Sequence, residues 1–267
     1  MLGLDTILIF MVLGAVVGFM AGLLGIGGGG IMVPVLTSIF LYNKIPPESV
    51  GHIALGTSMA SIIVTSASSL LAHRKHQGII WSVVKSMAPG VLIGTFLATY
   101  LVSYISAEHL AIFFACFMAY VAVQMFLNFQ PTSTKKIPGV IPLFATGNGI
   151  GAISAMVAIG GGTLTVPYLT WHNVSLRKAI GTSAAIGFPI AISGTLGYLI
   201  NGLNAEFKAD FLIGYIYLPA VFAISIISFF TAPLGARLAH TLPIPKLKKI
   251  FALFLVLLSV KMVFSIL

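Results

Sequence analysis

The residues best suited to chemistry in this chain are two glycine runs set inside apolar sequence, Gly27-Gly28-Gly29-Gly30 and Gly160-Gly161-Gly162-Thr163. Each glycine in a helix costs about 1 kcal/mol relative to alanine, so either run gives up several kcal/mol of helix stability. Consecutive glycines break a helix and leave its backbone bare. Behind each break a new helix begins, over Ile31 to Leu36 and Leu164 to Leu169. The first N–H groups of a helix have no intrahelical partner and carry about half a positive charge, and without side chains an anion approaches them closely. The chemistry this predicts is anion binding by backbone donors, with Thr163 and Thr165 adding hydroxyls in the second run. Pro34 and Pro167 are expected within about the first turn of the new helices, where a missing N–H costs little.

The two runs belong to a duplication. Gly14, Gly18, Ile26, Gly27, Gly28, Gly29, Val33, Pro34 and Leu36 return at a shift of 133 as Gly147, Gly151, Ile159, Gly160, Gly161, Gly162, Val166, Pro167 and Leu169. Gly56-Thr57-Ser58 returns as Gly181-Thr182-Ser183 at a shift of 125. Leu110 and Met125 return as Leu247 and Met262 at a shift of 137. The chain is read as one integral membrane domain of two repeats, 1–130 and 131–267. Thr57, Ser58, Thr182 and Ser183 offer hydroxyls to a bound oxyanion; they equally suit hydrogen bonds between helices. Gly14, Gly18 and Gly22 fit close helix packing.

The elements that must position these groups are apolar helices. Of the 267 residues, 58% are hydrophobic and 7% charged, against about 25% charged in soluble domains. Each repeat reads as a long helix, a glycine break, a short helix and three further spans. The first repeat places these near 5–26, 31–42, 50–72, 79–104 and 108–128, the second near 139–159, 164–173, 178–200, 209–239 and 246–266. A stretch of 10 to 12 residues rises only about 15 to 18 Å, half the bilayer core, so the short helices read as re-entrant half-helices. The fold class expected is an all-α integral membrane protein.

Loop charge orients the repeats, because Lys and Arg favour the cytoplasmic side. The loop holding Arg74 and Lys75 corresponds to one holding Glu206, Lys208 and Asp210. The loop with Glu108 corresponds to one with Lys246, Lys248 and Lys249, and the linker balancing Lys44 against Glu48 corresponds to Arg177 and Lys178. Opposite bias in corresponding loops is the mark of an inverted-topology repeat, with both termini outside an inner, cytoplasmic membrane and ten membrane segments. Parallel repeats with eight full spans are the rival, and they put basic loops on both sides.

Other chemistry is thin. The net charge of +9 is spread over short loops, which argues against nucleic acid. Lys85 and Lys261 lie inside spans, where they snorkel or face the bundle interior, and no Asp or Glu occupies the middle of any span, which disfavours cation transport. Cys116 is the only cysteine, so no intramolecular disulfide forms. His73 and His76 are assigned to a basic loop, His109 and His240 to helix ends, and His52 and His172 to the outer side or a short helix. None forms a metal constellation. Trp81 and Trp171 read as interface anchors. No Ser-His pair, zinc motif or P-loop is present, so neither an enzyme nor an ATP motor is expected, and no cofactor. The partners expected are a small anionic substrate and the lipid bilayer, with homo-oligomerisation left open.

The repeated Gly-Gly-Gly followed by Val-Pro-x-Leu, at Val33 to Leu36 and Val166 to Leu169, resembles the signature of the TauE/SafE family of sulfite exporters. The resemblance extends to the Gly-Thr-Ser segments and to Pro233-Leu234-Gly235-Ala236-Arg237-Leu238-Ala239. It implies export or uptake of a small sulfur-containing anion such as sulfite, sulfoacetate or thiosulfate. An anion channel, or a transporter of another small organic anion, is the alternative.

Overall fold

The structure, a computed structural model, describes residues 3–127, 136–205 and 207–239, and helical positions scattered over 252–264. Apolar sequence without turn signals forms helices here because a membrane leaves backbone groups no other partner. The helices are α1 (Leu4–Leu24), α2 (Gly29–Tyr42), α3 (Pro47–Lys75), α4 (Trp81–Val102) and α5 (Ala107–Leu127), then α6 (Val140–Val157), α7 (Gly162–Trp171), α8 (Leu176–Gly202) and α9 (Leu218–Leu238). Among the described residues seven helices are long and apolar enough to cross a membrane, and α2 and α7 are the short ones at 14 and 10 residues. This is an all-α, multi-pass membrane protein.

One span differs from expectation. The stretch read as 209–239 opens with a two-stranded antiparallel hairpin, β1 (Leu212–Ile213) and β2 (Ile216–Tyr217), and the helix starts only at Leu218. Gly214 takes the left-handed conformation that a tight hairpin turn needs. The last span, 246–266, and Glu206 lie largely or wholly outside the described residues.

Glycine stripes set the helix pairing. Gly14, Gly18 and Gly22 of α1 face Ile224, Ser228 and Ala232 of α9, so these two helices run parallel with their backbones close. Gly147 and Gly151 of α6 face Met87 and Val91 of α4 in the same way. These glycines serve helix packing, as their spacing suggested. Between the two pairs, α3 and α8 cross antiparallel, with Gly56 against Tyr198 and Gly181 against His73. The main pairings of the two halves match: α1 with α9 answers α4 with α6, and α3 with α9 answers α8 with α4.

The pairing also sorts charge. Arg74 and Lys75 end α3, Arg177 and Lys178 begin α8, and Arg237 ends α9, all at one end of the bundle. Asp5, Glu48 and Glu108 begin α1, α3 and α5 at the other.

Candidate functional site

The two glycine breaks meet each other. A Cβ placed on Gly27 would stand 2.6 Å from the Gly160 Cα, and one on Gly160 would stand 2.9 Å from the Gly27 Cα. Only two glycines allow that approach. On either side the chains cross again: a Cβ on Gly29 would strike the carbonyl of Ala158, and one on Gly162 would strike the carbonyl of Gly25. The breaks are thus interlocked, each wrapped over the end of the other's first helix.

Backbone conformation shapes each break. Gly28 and Gly161, the residues just before α2 and α7, both take left-handed conformations, with φ of +85° and +77°. In α2 the first intrahelical donors are Ile31 and Met32, both to the Gly28 carbonyl; in α7 they are Leu164 and Thr165, both to Gly161. Among the described residues no acceptor takes the N–H groups of Gly29, Gly30, Gly162 or Thr163. Pro34 and Pro167 are the sixth residues of their helices, later than the first-turn placement expected, because both helices begin nearer the break. Each proline therefore also leaves a carbonyl, of Gly30 and of Thr163, without its usual donor four residues on.

A cavity of about 10 Å³, the room of one water, lies where the breaks meet. It is lined by Gly25, Gly27 and Gly160 from the breaks, Ser66 and Ser69 from α3, and Ala184 and Gly187 from α8, with Ala21. Its position follows from one difference between the halves. Ile62 lies 3.6 Å from where a Cβ would sit on Gly27 or Gly160, while its repeat equivalent, Gly187, presents no side chain and faces the Gly160 carbonyl. What Ile62 fills on one side, Gly187 leaves open on the other.

The hydroxyls singled out in the sequence divide. Thr57 accepts a hydrogen bond from the Tyr217 N–H and Thr182 from the Ile80 N–H, both at 3.0 Å. Tyr217 and Ile80 immediately precede α9 and α4, so each threonine anchors the start of a helix in the opposite half. Ser183 donates to the Ile180 carbonyl at 2.8 Å and reaches the Gly25 carbonyl at 3.3 Å, which puts it on the first break. The Ser58, Thr163 and Thr165 hydroxyls are buried without a hydrogen-bond partner. Thr165 lies 3.5 Å from where a Cβ on Gly161 would sit, at the second break.

Sequence reasoning missed Ser66 and Ser69, because their repeat equivalents are Ala191 and Gly194 and no duplication marks them. It also misplaced His73, which lies in the last turn of α3, fully buried, its Nε2 donating to the Gly22 carbonyl at 2.9 Å. Lys85 is exposed, in the second turn of α4. Trp81 and Trp171 are exposed, at 44% and 49%.

The family described as "Sulfite exporter TauE/SafE" matches residues 10–262. A probable membrane transporter protein of Haemophilus influenzae is 37% identical over 260 residues, covering 96% of this chain and 97% of that protein. A probable membrane transporter protein of Methanocaldococcus jannaschii is 25% identical over 239 residues, covering 86% and 85%. No solved structure matches the chain. With the match running from within α1 past α9 and over both glycine breaks, the chain belongs to the TauE/SafE family of membrane transporters.

Proposed function

We propose that this protein is a secondary carrier of a small sulfur-containing anion, sulfite, a sulfonate such as sulfoacetate, or thiosulfate, held where the two breaks meet. The observation that carries the reading is the contact of Gly27 with Gly160, which brings two helix starts with untaken N–H groups to one buried point. Paired helix N-termini at a repeat interface suit an anion and repel a cation. The Thr163 and Thr165 hydroxyls supply donors at the second break, and Ser66, Ser69 and Ser183 extend the polar lining from α3 and α8. Thr57 and Thr182 contribute by fixing the helices around it. Pro34 and Pro167, inside α2 and α7, leave the Gly30 and Thr163 carbonyls without a donor four residues on. The choice of a sulfur anion follows the family's description.

A centre with room for one water favours a carrier over a channel, since an anion enters only when the halves move apart. The reading extends to two inverted repeats, 1–130 and 131–267, in the cytoplasmic membrane with both termini outside. Its support is that α1 enters from the acidic end and α6 from the basic end, which the positive-inside rule assigns to the cytoplasm. No nucleotide or metal chemistry enters this mechanism, which needs only binding and rocking of the halves.

The test is flux in proteoliposomes, with sulfite, sulfoacetate, thiosulfate, sulfate and chloride offered in parallel. Saturable movement of at least one sulfur anion, competed by the others, is expected. If none of the sulfur anions binds or crosses, the assignment fails.

A further inference from the structure

The hydroxyls along α3 and α9 divide into those that the other half repeats and those that it lacks. Equivalent residues lie at a shift of 125 from α3 to α8 and of 137 from α4 to α9, where Met87 and Ile224 face the equivalent glycines Gly147 and Gly14. Ser68 donates to the Phe229 carbonyl and its equivalent Ser193 to the Leu92 carbonyl, both at 2.6 Å. Thr57 and Thr182 match in the same way. These bonds build the fold in both halves. Ser61, Thr65, Ser225 and Ser228 are not needed for it, because Ile186, Ile190, Ala88 and Val91 take their places in the other half and the same helices pack. Ser66 and Ser69 are likewise Ala191 and Gly194 there.

All six hydroxyls are buried. Ser66 donates to the Ile63 carbonyl at 3.2 Å, and Ser69 reaches the Ala21 carbonyl at 3.5 Å. A hydroxyl has one hydrogen and two lone pairs, so with their hydrogens turned to carbonyls both serines present oxygen to the cavity they line. The cavity is also lined by Ala21 and Gly25, the last turn and the cap of α1. That is the carbonyl, negative end of a broken helix.

We propose that this cavity is a sodium site and that the carrier moves sodium, a second cargo, together with its anion; this rests on the anion-carrier reading above. One break then serves two charges. The start of α2 offers N–H groups to the anion, and the end of α1 offers carbonyl oxygen to the cation. Room for one water suits a single bare ion. The Ser66 and Ser69 hydroxyls and the Ala21 carbonyl are neutral oxygens, and neither Asp nor Glu lines the cavity. Such a lining suits a monovalent ion and not Ca2+ or Mg2+, which are held through carboxylates. A cation buried alone is costly, as is an anion. Side by side each offsets the other, so the two bind with reciprocal coupling.

The remaining hydroxyls lead toward the cavity. Asp5, Glu48 and Glu108 draw cations to the end of the bundle where α3 and α9 begin. From there Ser61 follows Thr57 by one turn on α3, and Ser225 lies on the face of α9 that carries Ser228, its hydroxyl buried without a partner. Thr65 and Ser228 then touch at 2.8 Å, and Ser66 is the next residue. Beside α6 the equivalent positions are apolar, so the second break has no matching route.

The experiment uses the full chain in liposomes with labelled thiosulfate and labelled sodium, replacing sodium by choline at constant chloride. Wild type is expected to take up sodium with thiosulfate, to lose uptake about tenfold or more in choline, and to gain little from potassium. Ser69→Ala and Thr65→Val are expected to raise the sodium concentration for half-maximal uptake about tenfold, the loss of one good ligand being enough. A packing role would lower uptake alike at every sodium concentration, and that result overturns the proposal. So does equal uptake in sodium and choline, the outcome for a cavity that holds only water. Should the variants fail to fold, the wild-type protein in detergent decides: its melting temperature rises with sodium at constant chloride if the site exists, and indifference to sodium overturns it. Absence of thiosulfate uptake at every sodium concentration is a different failure, that of the carrier reading itself.

Discussion

At the scale of single residues, the proposed site is defined by side chains that are missing. Gly27 and Gly160 touch through backbone alone, and Gly187 leaves open the volume its counterpart Ile62 fills. Gly160→Ala places a methyl group 2.9 Å from the Gly27 Cα, and Gly187→Ala places one 2.6 Å from the Gly160 carbonyl, beside the cavity. Each is expected to reduce anion flux by a factor of about 10 or more, a loss of about 1.4 kcal/mol in binding being enough, while the protein still reaches the membrane and elutes as one species. Flux unchanged in both variants would remove the meeting point as the site. Ser66→Ala makes the finer test: loss of one neutral donor should weaken binding by about 0.5 to 1.5 kcal/mol, read as a raised KM with turnover retained.

At the scale of elements, the Gly-Thr-Ser segments show how one motif reads two ways from sequence. Their small residues and hydroxyls suited an oxyanion or a helix contact equally. In the fold, Thr57 and Thr182 anchor the starts of α9 and α4, while Ser183 reaches the first break. Thr57→Val and Thr182→Val keep the shape and remove the acceptor, leaving a buried N–H unmatched. Each should cost about 1 to 3 kcal/mol, seen as a lower melting temperature in detergent. Thr57→Ser should restore most of it, since the hydroxyl returns; equal melting of Thr57→Val and wild type would show that the bond contributes nothing. The hairpin before α9 was hidden for a related reason. Leu212 to Tyr217 is apolar enough to continue a span, and only Gly214 signals the turn.

At the scale of the whole molecule, charge and direction agree. The ends of α3 and α9 and the start of α8 carry Arg74, Lys75, Arg237, Arg177 and Lys178 at one end of the bundle, and the acidic residues that begin α1, α3 and α5 mark the other. With Cys116 replaced by Ser, a cysteine at position 76 should react with an impermeant maleimide only from the cytoplasm, and one at position 208 only from outside. Both reacting from the same face would refute the inverted arrangement and favour parallel repeats.

Hydrophobic content by itself determined a multi-pass helical protein, because a chain with so few charges has no other solvent than the bilayer. The duplication and the twin glycine runs were likewise readable, since glycines that break two apolar helices at matched positions have no packing use on every side. Tertiary structure alone decided that the two breaks interlock at Gly27 and Gly160, that Gly187 sets the side of the cavity, and that His73 lies in the last turn of α3, buried against α1, and not in a loop. Those facts depend on how α3 and α8 cross, and a crossing joins residues more than a hundred positions apart that share no local pattern.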